Sequence, residues 1–198
     1  MELLIVIAVI GLLAGMLLPS LSAARQAANH ARTRVRFAQW TAACEAFRRE
    51  YGYYPVLDAS GLVNPPGQSA DPAEVHVFHD VLAGRRRDGA PLPASAAGAD
   101  PLQPSAQNRK RIAFYRFPDS EWVDGLIADA SGQTGIAVLV DRDLDGFIRP
   151  GSDFAALPSL GGVVPGAFPP GGVRGGVAFY TLKPGAGSAA PEFLCSWQ

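Results

Sequence analysis

Residues 20–55 read SLSAARQAANHARTRVRFAQWTAACEAFRREYGYYP, and how this stretch is read decides the fold. No Gly or Pro interrupts it between Ser20 and Tyr51, and Gly52 and Pro55 then stop a helix. Two apolar stripes run along it. The first is small and aliphatic: Leu21, Ala24, Ala28, Ala31, Val35, Ala38 and Ala42, at alternating steps of three and four. The second is bulky and starts later, with Phe37, Trp40, Cys44, Phe47 and Tyr51. At about 100° per residue the two fall on nearly opposite faces. A helix with one buried face needs one stripe, so two stripes imply two partners. Phe37, Trp40, Phe47 and Tyr51 are expected to pack on the protein's own C-terminal domain, where large rings bury the most area. The Ala-rich stripe suits close approach of another helix, because small residues let backbones come together. One ordinary intramolecular bundle holding both stripes is the alternative.

Upstream, Glu2 leads an unbroken apolar run from Leu3 to Leu18, and from Leu3 to Ala24 only Ser20 and Ser22 are polar. At about 1.5 Å per helical residue this length crosses a hydrocarbon layer of about 30 Å, so residues 1–24 read as a membrane helix or a signal sequence. Residues 25–55 are its amphipathic continuation. Downstream, residues 56–108 turn to Pro, Gly, Ala and Asp, which predicts loops. Within them PAEVHVFHDVLAG carries helical spacing at Val75, Phe78, Val81 and Leu82 and ends in Gly84, predicting one short helix. Arg85, Arg86 and Arg87 after it read as a solvated turn.

Four strand-like runs close the chain: RIAFYRF from Arg111, GIAVLV from Gly135, GGVAFYTL from Gly175 and EFLCSW from Glu192. No helix-length segment separates them. The expected fold class is therefore α+β: a long N-terminal helix whose aromatic face is covered by a small antiparallel sheet in a domain over residues 56–198.

The ends of the long helix carry a family likeness. ELLIVIAVIGLLAGMLLPSLSAARQAA resembles the N-terminal segment of mature type IV pilins and type II secretion pseudopilins, with Glu2 and Pro19 at the family's separation. AFRREYGYYP, from Ala46 to Pro55, is similar to the pseudopilin signature that closes the helix, and weaker likeness continues in FHDVLAG, NRKRIAFYRF and GIAVLVDRDLDGFI. The resemblance implies a type IV pilin-like fold and a structural, non-enzymatic subunit of a pseudopilus or pilus-like filament. It implies other pilin-like subunits, an inner-membrane assembly platform and a prepilin peptidase as partners. The implied location is the bacterial inner membrane, single-pass, with the C-terminal domain in the periplasm. Family precursors carry a basic leader and a Phe-Thr-Leu sequence before the methylated N-terminus is formed, so Met1 is expected to be an internal methionine with that leader upstream. A membrane-anchored or secreted periplasmic binding domain without a filament role is the alternative, with Leu3 to Leu18 serving only as anchor or signal.

Within the resemblance, Glu2 becomes a register residue. A lone acid in a membrane span costs on the order of 3 kcal/mol, so it is expected to pair, with the N-terminal amine of a neighbouring subunit. Pro19 removes a helix hydrogen bond and marks a kink or a weak point. Arg25, Arg32, Arg34 and Arg36 argue for a cytoplasmic domain by the distribution of basic residues, whereas the resemblance implies the reverse and is followed here.

The most specific later motif is DRDLDG, with Asp141, Asp143, Asp145 and Gly146. Alternating carboxylates on a tight turn can converge on a hard cation, as in the first half of an EF-hand loop. The twelfth position is Ser152 rather than Glu, and Asp153 beside it is the substitute. Ca²⁺ held by Asp141, Asp143, Asp145 and Asp153 is one reading and a solvated acidic turn the other. His76 and His79 form H-x-x-H, a weak transition-metal pair without a third ligand. Cys44 and Cys195 form no metal spacing and are either paired or buried thiols. Net charge is −1, which asks for no nucleic-acid partner, and no nucleophile, phosphate-loop or zinc-protease motif is present to support catalysis.

Overall fold

The computed structural model describes residues 2–94, 98, 100–166, 168–183 and 191–197, with the backbone alone at 2–5 and 8–20. Helix α1 runs from Glu2 to Tyr51 and continues through Pro19. It stops where Gly52, at φ +83°, donates its amide to the Arg48 carbonyl at 2.7 Å. Helix α2 (Val77–Ala83) and the single turn α3 (Pro104–Gln107) follow. The strands are β1 (Trp122–Val123), β2 (Leu126–Ile127), β3 (Ile136–Val140), β4 (Phe147–Ile148), β5 (Val173–Arg174), β6 (Val177–Leu182) and β7 (Phe193–Cys195). The molecule is α+β, with a long N-terminal helix and small antiparallel sheets.

The main sheet has the order β3-β6-β7, all antiparallel, with Val138 opposite Phe179 and Thr181 opposite Leu194. Strands β1 and β2 form a hairpin, and β4 pairs with β5. Both faces of the main sheet are covered, which is why β3 and β6 read as continuous apolar runs rather than as alternation. The period of two is visible in what each residue touches. Ile136, Val138, Val177 and Phe179 join Phe37, Trp40, Cys44, Phe47, Phe78 and Leu82 in one core beneath α1 and α2. Ala137, Leu139, Ala178 and Tyr180 turn to the other face and meet Ile148, Leu160, Phe154, Phe168 and Trp197.

Trp40 is the centre of the first core. Its ring lies 5.5 Å from Phe179, 5.6 Å from Phe78 and 5.7 Å from Phe37. Its indole N–H donates to Oε2 of buried Glu121 at 3.1 Å, so the polar edge of the ring is satisfied inside the core.

Four expectations are corrected. RIAFYRF forms no strand: the amides of Phe114 and Tyr115 both donate to the Leu82 carbonyl at the end of α2, at 2.8 and 3.0 Å, and this leaves the segment without a strand partner. Arg87 is not in a solvated turn: its guanidinium gathers the carbonyls of Gly125, Ser69, Asp71 and Glu74 and ties three loops together. Val75 lies ahead of α2 and is exposed, while His76 caps the helix. Finally, the expected single-pass inner-membrane location is not upheld. Among the described residues no helix is long and apolar enough to cross a membrane, because from Leu21 onward α1 carries Arg25, Arg32 and Arg34 on its exposed surface. The side chains of Leu3–Ile5 and Ala8–Leu18, and those of Glu2 and Pro19, lie outside the described residues.

Candidate functional site

Two features of the sequence reading have a definite geometry, the acidic loop and the two faces of α1. The loop begins where β3 ends. The Asp141 amide still donates to the Gly176 carbonyl of the neighbouring strand at 2.9 Å, so its side chain is presented from a rigid edge. Leu144, at φ +63°, and Gly146, at φ +87°, then fold the chain back towards β4. Oδ2 of Asp141 accepts the Gly146 amide at 2.9 Å. Asp143 Oδ1 accepts the Asp145 amide at 3.2 Å, and Asp145 Oδ1 accepts the Phe147 amide at 2.8 Å.

The carboxylates of Asp141, Asp143 and Asp145 converge, each offering an oxygen within 4.8 Å of the others. Asp143 and Asp145 are exposed, whereas Asp141 is 1% exposed and its Oδ1 is buried with no hydrogen-bond partner. A buried carboxylate oxygen without a partner carries a desolvation cost that a cation removes. The Asp143 carboxyl sits above its ordinary value. The hydrogen bond from the Asp145 amide pulls it down, but desolvation and the carboxylates of Asp145, Asp141 and Asp153 outweigh that pull. An all-oxygen, carboxylate-rich set with one orphaned oxygen fits a hard divalent ion such as Ca²⁺.

Asp153 is placed differently from the other three. Its Oδ1 accepts the Arg142 amide at 2.7 Å, and its Oδ2 accepts the Arg149 amide at 2.7 Å and the Ser152 hydroxyl at 3.0 Å. It braces the loop from behind. The guanidinium of Arg149 closes the outer side on Asp145.

The H-x-x-H pair forms a structural network instead of presenting two free ligands. His76 Nε2 faces Asn64 Oδ1 at 3.0 Å, and its Nδ1 accepts the His79 amide at 3.3 Å. His79 Nδ1 meets Asp80 Oδ1 at 2.8 Å. Burial, then the charges of Arg87 and His79, push His76 down to about 3, so it is the neutral ring with Nε2–H donating to Asn64. Cys44 and Cys195 are free and buried, and they belong to the two separate cores.

Along α1 the two stripes have different surroundings. Phe37, Trp40, Cys44 and Phe47 are buried in the core, with Thr33 extending the buried line towards the N-terminus. Tyr51, partly buried, donates its hydroxyl to Asn108 Oδ1 at 2.8 Å. Leu21, Ala24, Ala28, Ala31, Val35, Ala38 and Ala42 are all exposed, Val35 at 57%. Arg36 sits between the faces and anchors the helix to the domain through the carbonyls of Ala128 and Ser120, at 2.9 and 2.8 Å.

The sequence reading missed the polar hubs of the domain. Asn64, Asn108 and Glu121 are buried or half-buried, and each binds segments far apart in the chain. Composition offers no signal for them, but an isolated Asn beside a Pro-rich stretch is a place to look for one. Compared with known families, with curated proteins and with solved structures, the chain matches none.

Proposed function

We propose that this chain is a structural, non-catalytic subunit of a pilin-like filament, of the pseudopilus kind, in which copies pack through the small-residue face of α1. One observation carries the reading: a continuous line of small side chains from Leu21 to Ala42 is exposed, opposite the line of rings that holds the same helix to its own domain. A helix that served only its own domain would gain nothing from a second apolar line. Small side chains let helix backbones approach closely, and Arg25, Arg32 and Arg34 beside the line limit indiscriminate sticking.

The acidic loop belongs to the same reading. Asp141, Asp143 and Asp145 would hold Ca²⁺, which supplies positive charge to three crowded carboxylates and fixes the turn between β3 and β4. Asp153 contributes by keeping the loop backbone in place.

The test is assembly of the full chain, followed by electron microscopy of sheared or purified material. Replacing Ala31 with Gln enlarges one position of the line without touching the core, and assembly is expected to fall by more than half. Normal filament yield from Ala31→Gln, Ala28→Gln and the double variant would overturn the reading.

A further inference from the structure

The groove at the free edge of β3 is a second feature, independent of the filament reading. In the register with β6, Ala137, Leu139 and Asp141 direct their main-chain groups inward, as the Asp141 amide shows by donating to Gly176. Ile136, Val138 and Val140 therefore direct theirs outward. The chain covers this edge first with residues 61–63: Val63 donates to the Ile136 carbonyl at 2.9 Å and Val138 donates to the Gly61 carbonyl at 2.8 Å. It then turns away. Gly61, at φ +64°, gives its own amide to Asp58, and the Ser60 amide is held by the Asp58 carboxylate at 2.6 Å. Beyond the gap, the Arg142 amide is covered again by Asp153. Val140 is left with an amide and a carbonyl that have no partner among the described residues.

A groove of about 750 Å³ opens over this uncovered peptide unit. One wall is Tyr53, Val56 and Leu57, and the other is Phe154, Ala156 and Pro158. Leu57 on one wall packs against the first core and Phe154 on the other against the second, so the groove runs along the β3 edge between the two faces of the sheet. An extended chain matches such a slot because its side chains alternate between two faces while its main chain bonds sideways. Asp58, Asp141 and Asp153 are among its lining residues, and Arg142 is the one cation there. Charge therefore favours a neutral or basic segment over an acidic one.

We propose that this slot is a strand-addition site for an extended segment of another polypeptide, apolar at its centre and basic at its flanks, which pairs with Val140. The probe is the acetylated, amidated peptide Lys-Val-Ile-Val-Lys, titrated against the full chain in mild detergent and EDTA. Val140 amide exchange and the dissociation constant are followed together. The expected result is protection of the Val140 amide. Methylating the central peptide nitrogen, which removes the donor to the Val140 carbonyl, is expected to weaken binding at least about tenfold, as is exchanging both Lys for Glu. Ala156→Arg, at an exposed site away from both cores, fills the slot and abolishes binding while the fold persists. Equal binding of the methylated peptide, or no binding at millimolar peptide, overturns the proposal. So does concentration-dependent self-association that Ala156→Arg removes, because the occupant would then be a second copy of this chain.

Discussion

Asp141 and Asp153 flank β4 and share a side-chain type, yet they do different things. Asp141 keeps a buried oxygen with no partner, whereas both oxygens of Asp153 are held by main-chain amides. Ca²⁺ is therefore expected to raise the melting temperature of the protein and EDTA to reverse the shift, by mass action on the folded state. Asp141→Asn should abolish that response with little change in the calcium-free melting point. Asp153→Ala should lower the melting point with and without calcium, because it releases two amides of the loop. A calcium response that survives Asp141→Asn would count against the site. His76 sets a pH dependence of its own. A base held near 3 when folded and near 6.5 when unfolded is favoured neutral in the fold. Its contribution is complete above pH 6.5 and is lost as pH falls towards 3, at about 1.4 kcal/mol per unit. Denaturant titrations at pH 7 and pH 5 should differ by about 2 kcal/mol more in the native chain than in His76→Gln.

At the scale of elements, α1 is held to its domain by rings, and of those on the helix Trp40 has the most ring partners. Trp40→Ala is expected to cost about 3–5 kcal/mol, measured by equilibrium unfolding, because it removes a buried ring and takes the donor from Oε2 of buried Glu121. Gly176, where β6 begins, is a second test of close packing. A Cβ there would lie 1.5 Å from the Tyr54 hydroxyl, which donates to Glu45 at 2.6 Å. Gly176→Ala should therefore displace Tyr54 and cost about 1–3 kcal/mol. The sequence made the helix, its stop at Gly52 and the strands β3 and β6 legible, because each follows from local spacing or an apolar run. It misled at RIAFYRF, whose apolar alternation reads as a strand but whose amides bond the end of α2. It misread Arg87 as part of a solvated turn and was silent on the β3 slot. Both are made by segments distant in sequence, and residue order alone carries no trace of that meeting. DRDLDG was legible as a motif, while the separate duty of Asp153 depends on which amides face it.

For the whole molecule, α1 is proposed to have two partners, its own domain and another copy. The helix and the domain carry opposite charge excesses: α1 holds six arginines and three acids, and the remainder carries the acidic surplus of a chain whose net charge is −1. Such a division adds a net attraction between copies, since the helix of one lies in the field of its neighbour's domain while the small-residue faces of α1 pack. Association should therefore weaken as salt is raised, measured by sedimentation of the full chain. The most direct measurement is intermolecular disulfide formation by single cysteines placed along α1, with buried Cys44 and Cys195 left in place. Cysteines at Ala28, Ala31 and Ala38 should cross-link copies efficiently, and one at exposed Arg49 should not. Cross-linking at Arg49 with none at Ala28, Ala31 or Ala38 would contradict the account.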